Sequence, residues 1–186
     1  AAKIEEDLGF SLTPDSSLYF TMSNAKSRKR MEDLTKYRLP TIKRIFIQDI
    51  REDDEILLKF LENSMPKTLK YFCFGWCLNT VTKPRLSCYT KELSKLIPTV
   101  TEEFCVNQFE LGQSDLETLL TSAKNIETVF IRYCRVKTSR ECNFSVSSKF
   151  AIQNINLTGT TFSGEENHCE KCSGFSNIVA GIAKSG

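Results

Sequence analysis

The sequence contains little glycine, proline or histidine, and it has no strong excess of either charge. The 8 Gly and 5 Pro make up about 7% of the 186 residues, below the roughly 12% of average proteins. Collagen-like and linker-rich chains are therefore excluded. With 25 Lys and Arg against 23 Asp and Glu, the formal net charge is +2. Dedicated nucleic-acid-binding domains are usually strongly basic, so we expect no nucleic-acid partner.

Long hydrophobic runs are also missing. No window holds the roughly 18 uncharged apolar residues that a transmembrane helix requires. The N-terminal segment, residues 1–14, begins AAKIEED and lacks the apolar centre of a signal peptide. These absences predict an intracellular protein, in the cytoplasm, with no membrane partner. The first residue is not methionine, which indicates a processed chain or a fragment.

The residues that most enzyme sites need are scarce. The 8 Cys are about 4% of the chain, too few for a disulfide scaffold, and we expect free thiols. His168 is the only histidine, which argues against a Cys–His or Ser–His–Asp catalytic site. The glycines are dispersed, so no phosphate-binding loop is present. We therefore expect no catalytic residues, no cofactor and no small-molecule substrate.

Five segments of the chain fit one template, with apolar residues at positions 1, 4 and 6 and a small or apolar residue at position 9. They start at residues 42, 69, 101, 126 and 152, and a weaker copy starts near 15. The residues at positions 1, 4 and 6 are Ile42, Ile45 and Ile47; Leu69, Phe72 and Phe74; Thr101, Phe104 and Val106; Ile126, Val129 and Ile131; and Ile152, Ile155 and Leu157.

This spacing resembles the leucine-rich repeat family, whose strand pattern is L-x-x-L-x-L-x-x-N/C-x-L at periods of 20–29 residues. Cys77 and Cys134 stand where that pattern has Asn or Cys, and we expect small buried groups there. The resemblance implies an α/β solenoid of the ribonuclease-inhibitor-like kind, with a curved parallel β-sheet inside and helices outside. We expect one such domain over residues 1–186. Because it ends at Gly186 within a truncated repeat, it is predicted to be a slice of a longer array.

Helices are predicted between the strands. The second repeat is longer than the others and should loop out over 80–85. The polar, partly alternating run 137–146 favours an irregular or extended segment instead of a helix. Ser114 and Glu117 have the spacing of a capping box, with Ser114 at the N-cap of its helix. The predicted helices cover residues 27–38, 53–62, 90–96, 114–123 and 175–183.

Strand residues between the buried ones should point to the opposite, concave face. Stacked copies align Phe46, Cys73, Cys105, Phe130 and Asn156 in one row, and Gln48, Gly75, Asn107, Arg132 and Thr158 in the next. Trp, Tyr and Arg dominate binding hot spots, so this face predicts a partner-binding site, although some aromatic side chains could simply pack across strands. The predicted site residues are Phe46, Gln48, Tyr71, Cys73, Trp76, Asn107, Phe130, Arg132, Tyr133 and Asn156.

The leading functional hypothesis is a non-enzymatic module that binds another protein through the concave sheet. An alternative is the substrate-recognition part of a ubiquitin ligase or a similar adaptor, with its other domains outside this chain, which follows from the family resemblance alone. A third is a zinc-stabilised module using His168, Cys169 and Cys172, although this half-site lacks a second ligand pair. We assign no metal ligands and expect a plain loop there.

Residues 26–30, Lys-Ser-Arg-Lys-Arg, form the one basic run. Such a run could contact phosphate or act as a nuclear signal. Glu32 and Asp33 follow at helical spacing, which favours a solvated helix face with internal ion pairs.

Overall fold

The chain alternates strands and helices in the order that the repeats predict. The computed structural model describes residues 2–9, 11–76, 83–138 and 152–164. Its helices are α1 (Ala2–Leu8), α2 (Ala25–Leu34), α3 (Glu55–Asn63), α4 (Ser87–Leu96) and α5 (Gln113–Ser122), with a 3-10 turn at Ile97–Thr99. The strands are β1 (Ser17–Thr21), β2 (Ile42–Gln48), β3 (Leu69–Phe74), β4 (Val100–Asn107), β5 (Glu110–Gly112), β6 (Thr128–Arg132), β7 (Arg135–Thr138), β8 (Asn154–Asn156) and β9 (Thr161–Gly164).

Six of these strands form one parallel sheet in the order β1-β2-β3-β4-β6-β8. Each template copy supplies one strand, and neighbours in the sheet are neighbours in the series of copies. The α/β class with a parallel sheet is therefore confirmed. The weak first copy is confirmed as well, because β1 pairs with β2 over its whole length. A second, three-stranded parallel sheet, β5-β7-β9, follows the last three copies.

The pairing register reproduces the template. At position 4, Ile45, Phe72, Phe104, Val129 and Ile155 lie opposite one another on successive strands. Side chains at positions 4 and 6 are fully buried from β2 to β6. In β2, β3 and β6 they alternate with half-buried side chains on the other face, as a strand that is buried on one side requires. In β4 the other-face residues Cys105 and Asn107 are buried as well.

One position of the template was wrong. In the third copy the sequence predicts Thr101 at buried position 1, but Thr101 is exposed. Val100 occupies that position instead, lying opposite Leu69 and fully buried. The register shifts between Leu69 and Tyr71, so that β4 holds one more residue than β3 over this stretch.

Aromatic rings fill the core between the sheet and the helices. The Phe72 and Phe104 rings stack with centroids 5.8 Å apart across neighbouring strands. Phe74 stacks on Phe109 at 5.3 Å and meets Tyr89 of α4 edge-on at 5.4 Å. The buried apolar side chains of α2 to α5 belong to the same hydrophobic cluster. The helices pack side by side in chain order, α2 on α3, α3 on α4 and α4 on α5.

The helix ends differ from the expected ones by a few residues. Helix α3 begins after Asp54, whose carboxylate accepts hydrogen bonds from the backbone N–H of Ile56 and Leu57. The predicted Ser114 cap is wrong. Helix α5 begins at Gln113, so its N-cap is Gly112, two residues before Ser114. The Asp115 carboxylate accepts a hydrogen bond from the Gly112 N–H at 3.0 Å. Asp115 satisfies an otherwise free N–H at the helix start.

Other predicted segments are only partly described. Helix α2 covers 25–34 instead of 27–38, and α4 begins at Ser87, three residues before the predicted start. Strand β7 confirms the extended conformation expected for the start of 137–146. The rest of that run, most of the 80–85 loop and the 175–183 helix lie outside the described residues. Over the described ranges, none of the helices has the length and apolar character needed to cross a membrane.

Candidate partner-binding surface

The sheet face opposite the hydrophobic core carries the predicted site. We call it the open face and define it by strand positions 3, 5 and 7 together with Trp76 and Tyr133, which follow β3 and β6. At position 5 the register aligns Tyr19, Phe46, Cys73, Cys105, Phe130 and Asn156. The first row expected from the sequence is therefore present. In the second row, Gln48 lies opposite Thr21 and Asn107 lies opposite Arg132.

The open face exposes most of the large aromatic side chains that reach solvent in the described part of the chain. Tyr19 is 57% exposed, Tyr133 41% and Trp76 36%. Tyr19 was missed by the sequence prediction. It occupies position 5 of the weak first copy, so extending the row by one repeat would have found it.

Aromatic and cationic side chains pair along this face. The Tyr19 and Phe46 ring centroids lie 6.0 Å apart. At the other end, Trp76 and Tyr133 meet edge-on at 6.5 Å. The Tyr133 ring packs on Gly159, where a Cβ atom would lie 2.4 Å from Tyr133 Cδ1. Glycine at this site therefore leaves room for the ring, and its φ of +68° also suits glycine.

Two guanidinium groups cover aromatic rings. The Arg44 guanidinium carbon lies 4.9 Å from the Tyr71 ring centroid, and that of Arg132 lies 4.7 Å from the Phe130 centroid. Such cation–π contacts hold the arginines against the face. A hydrogen bond with the Glu102 carboxylate raises the pKa of the Tyr71 hydroxyl, so Tyr71 stays a neutral contact residue.

Several predicted contact residues lie below the surface or are already satisfied within the sheet. Asn107 is only 1% exposed. Its amide donates to the Gly75 carbonyl at 2.9 Å. The Gln48 amide donates to Thr21 Oγ1 at 2.7 Å, and the Asn156 side chain accepts from the Thr158 N–H at 3.0 Å. These polar groups position the face, and the aromatic side chains and Arg132 remain as its contact groups.

Four residues of the open face lie close together, and we call them the thiol cluster: Cys73, Cys105, Asn107 and Arg132. Asn107 Nδ2 lies 3.1 Å from Cys105 Sγ and 3.5 Å from Cys73 Sγ. Arg132 Nη2 donates to Cys105 Sγ at 3.2 Å. Asn107 Oδ1 and Arg132 Nε have no hydrogen-bond partner among the described residues.

The cluster shifts the two thiol pKa values in opposite directions. Hydrogen bonds from Cys73 and then Arg132 lower the pKa of Cys105, against the effect of burial. The hydrogen bond to Cys105 and burial raise the pKa of Cys73. The arrangement thus fits one thiolate, on Cys105, and one thiol, on Cys73.

Cys134, at position 9, confirms the small buried group expected there. It is buried, and its Sγ lies 3.3 Å from the Arg132 carbonyl oxygen, to which the thiol donates. Burial raises the pKa of Cys134 to about 11. This thiol is therefore neutral and structural. Cys77, the other position 9 cysteine, lies outside the described residues.

The remaining candidate motifs are accounted for in part. Lys29 pairs with Asp33 at 2.5 Å within α2, as expected for a solvated helix face. Arg28 departs from that expectation, because it pairs at 2.5 Å with the buried Asp54 at the start of α3. His168, Cys169 and Cys172 lie outside the described residues, so the zinc alternative stays a prediction. Within the described ranges, no group of three potential metal ligands comes together.

Comparison with known proteins gives no relative. No family model, no curated protein and no solved structure matches this chain.

Proposed function

We propose that this chain is a leucine-rich-repeat-like solenoid that binds another protein through its open face. Six parallel strands follow one another in sheet order and in template register, as expected when each repeat stacks on the one before it. Left-handed backbone recurs at template position 8 in four of the five clear copies, with positive φ at Asp49, Gln108, Tyr133 and Gly159, and at position 7, Gly75, in the second copy. A corner repeated at the same template position supports a coil built from equivalent turns.

The observation that carries the binding proposal is the composition of the open face. Tyr19, Trp76 and Tyr133 are exposed beside the half-buried rings of Phe46 and Phe130. Exposed aromatic residues of this number in one region are typical of interaction surfaces. The backbone that carries these side chains is already ordered by the sheet, so little backbone conformational entropy would be lost when a partner binds.

We propose that the partner is a protein, that the chain acts in the cytoplasm, and that it carries no catalytic activity. The face offers broad aromatic rings and two arginines that cover such rings. A protein surface or an extended peptide could lie across several strands at once and contact Trp76, Phe130 and Tyr133 together. Trp, Tyr and Arg are the residue types that contribute most to such contacts.

A capture experiment with matched variants tests this function. The immobilised chain is compared with Trp76→Ala combined with Phe130→Ala, and with Lys91→Ala, which alters an exposed residue of α4. Circular dichroism first checks that all three fold alike. Quantitative mass spectrometry should find proteins retained by the wild type and by Lys91→Ala but lost from the open-face variant. An identical set from all three would refute the proposed surface.

A further inference from the structure

Two cysteines on neighbouring strands form a site that partner binding does not explain. Cys73 and Cys105 lie directly opposite one another in β3 and β4. Because paired residues of neighbouring strands point to the same face, both thiols lie on the open-face side of the sheet. Cys105 is only 5% exposed, and Cys73 is half-buried, so the pair lies at the floor of the open face with Cys73 nearer to solvent.

The Asn107 amide directs a hydrogen-bond donor at the cysteine pair. Its Nδ2 lies 2.9 Å from the Gly75 carbonyl oxygen, which can only accept, so Nδ2 must be on that side. The remaining Nδ2 hydrogen then points to the sulfurs, 3.1 Å from Cys105 and 3.5 Å from Cys73. Cys105 therefore accepts from Asn107 and from Arg132. Two N–H donors on one sulfur, one of them cationic, stabilise a thiolate.

We propose that Cys105 is a peroxide-reactive thiolate and that Cys73 is the thiol that resolves its oxidised form to a disulfide. The Cys105 sulfur attacks one peroxide oxygen, so that an S–O bond forms, the O–O bond breaks and hydroxide leaves. Cys73 then attacks the Cys105 sulfenic acid. The S–S bond forms, the S–O bond breaks, and the leaving hydroxide takes the Cys73 proton and departs as water. Two thiol sulfurs are oxidised, and one peroxide is reduced to two waters once solvent protonates the first hydroxide.

The strand geometry allows this disulfide. Neighbouring strands lie about 4.8 Å apart, and disulfides span Cα separations of roughly 4.4–6.8 Å. Because paired residues point to the same face, both sulfurs are on one side of the sheet. A disulfide would remove the negative charge that Arg132 contacts, and Arg132 covers the Phe130 ring. Oxidation would therefore change the open face, although the reaction itself does not depend on any partner.

Two other cysteines provide internal controls. Cys88 is half-buried, and burial raises its pKa. Cys134 is buried, with its pKa raised to about 11. Both are neutral thiols near pH 7, and thiols react with peroxide far more slowly than thiolates. Cys88 is half-buried whereas Cys105 is buried, so faster oxidation of Cys105 would reflect a specific site and not greater exposure to peroxide.

Site-resolved oxidation kinetics test the proposal on the full chain. The protein is exposed to hydrogen peroxide at pH 7 and then quenched and denatured. Free thiols receive a light alkylating label, and after reduction the oxidised ones receive a heavy label. Cys73 and Cys105 should be oxidised together, about tenfold or more faster than Cys88 and Cys134, and unreduced digests should contain their two peptides joined. Oxidation of Cys88 at the same rate, or no joined peptide, would overturn the proposal.

Two variants separate the two roles. Cys73→Ser should stop the reaction at the Cys105 sulfenic acid, which dimedone traps. Cys105→Ser should leave Cys73 as slow as Cys88. Fast Cys73 oxidation in Cys105→Ser would reverse the assignment and contradict the proposal. In the wild type, the oxidation rate of Cys73 and Cys105 relative to Cys88 and Cys134 tests the proposal without either variant. A substitution that prevents folding therefore does not remove the test.

Discussion

Arg132 Nη2 lies 3.2 Å from Cys105 Sγ, although 27 residues separate them in the chain. Cys105 occupies position 5 of one template copy, and Arg132 occupies position 7 of the next. The same step of about one repeat aligns Tyr19 with Phe46 and Phe46 with Cys73. Residues that are distant in the sequence thus become neighbours in rows, and the chemistry of the open face arises from those rows.

Removing a core ring should destabilise the protein strongly. Phe74 is fully buried and packs against Phe72, Phe109 and Tyr89. Phe74→Ala should cost about 3–5 kcal/mol, because it leaves a cavity among these rings. Urea unfolding followed by circular dichroism measures the loss. Phe46→Ala, on the open face, is the matched control and should cost clearly less. If both variants lost the same unfolding free energy, the core face and the open face of the sheet would not differ in burial, which would contradict the structure.

Gly75 should not tolerate a side chain. Its φ is +87°, and an added Cβ would lie 2.3 Å from the Asn107 carbonyl oxygen and 2.3 Å from Phe109 Cε2. Gly75→Ala should therefore lower the free energy of unfolding by at least about 1–2 kcal/mol. Gly112→Ala is the control, since its nearest neighbour would be Asp115 Oδ2 at 3.4 Å. Denaturant midpoints that move alike in both variants would contradict the close approach of β3 and β4 at this corner.

The Asp54 carboxylate should stabilise the start of α3 in two ways. It accepts from the Ile56 and Leu57 N–H groups and pairs with Arg28 across one repeat. Asp54→Ala should cost about 1–2 kcal/mol, typical of a lost N-cap. Asp54→Asn keeps an oxygen for the cap and removes only the charge, so it should cost less. Thermal unfolding compares the two, and an Asn variant as unstable as the Ala variant would assign the effect to the ion pair alone.

The Cys105 thiolate should make stability depend on pH. Its pKa is lowered in the folded state by the Cys73 and Arg132 hydrogen bonds, relative to about 8.5 in an unfolded chain. The resulting stabilisation is fully present above that value and is lost as the pH falls through the lowered pKa. Between pH 8.5 and 5.5, the difference in unfolding free energy between wild type and Cys105→Ser should shrink. Each pKa unit by which folding lowers the Cys105 pKa corresponds to about 1.4 kcal/mol of unfolding free energy. A difference that stays constant with pH would show that Cys105 is a thiol.

The sheet was predictable from sequence because one spacing is repeated. Positions 4 and 6 must be apolar in every copy if each strand buries the same face, so Ile45, Phe72 and Phe104 could be aligned without a structure. The error at Thr101 arose because the usual spacing counts back three residues from Phe104, and only the pairing of Val100 with Leu69 reveals the extra residue in β4. Local sequence also could not show whether Ser114 or Asp115 meets the free N–H at the start of α5.

The open face was predicted as rows, and its buried cluster was not. Phe46, Phe130 and Asn156 could be placed in one row from the period alone. Whether Asn107 reaches solvent depends on neighbouring side chains from three strands, which no single repeat contains. The donor set around Cys105 combines residues of β4 and β6 with the Cys73 thiol of β3. Such a cluster depends on side-chain directions that a one-dimensional pattern does not give.

Site-specific photo-crosslinking tests the proposed binding surface most directly. p-Benzoylphenylalanine is placed at Tyr19 or Phe130 on the open face, and at Lys59 or Lys91 on the exposed sides of α3 and α4. Irradiation in the presence of cell extract should give discrete covalent adducts from the two sheet positions and none above background from the two helix positions. Adducts from the helix positions alone, or at equal yield from all four, would contradict a partner bound on the open face.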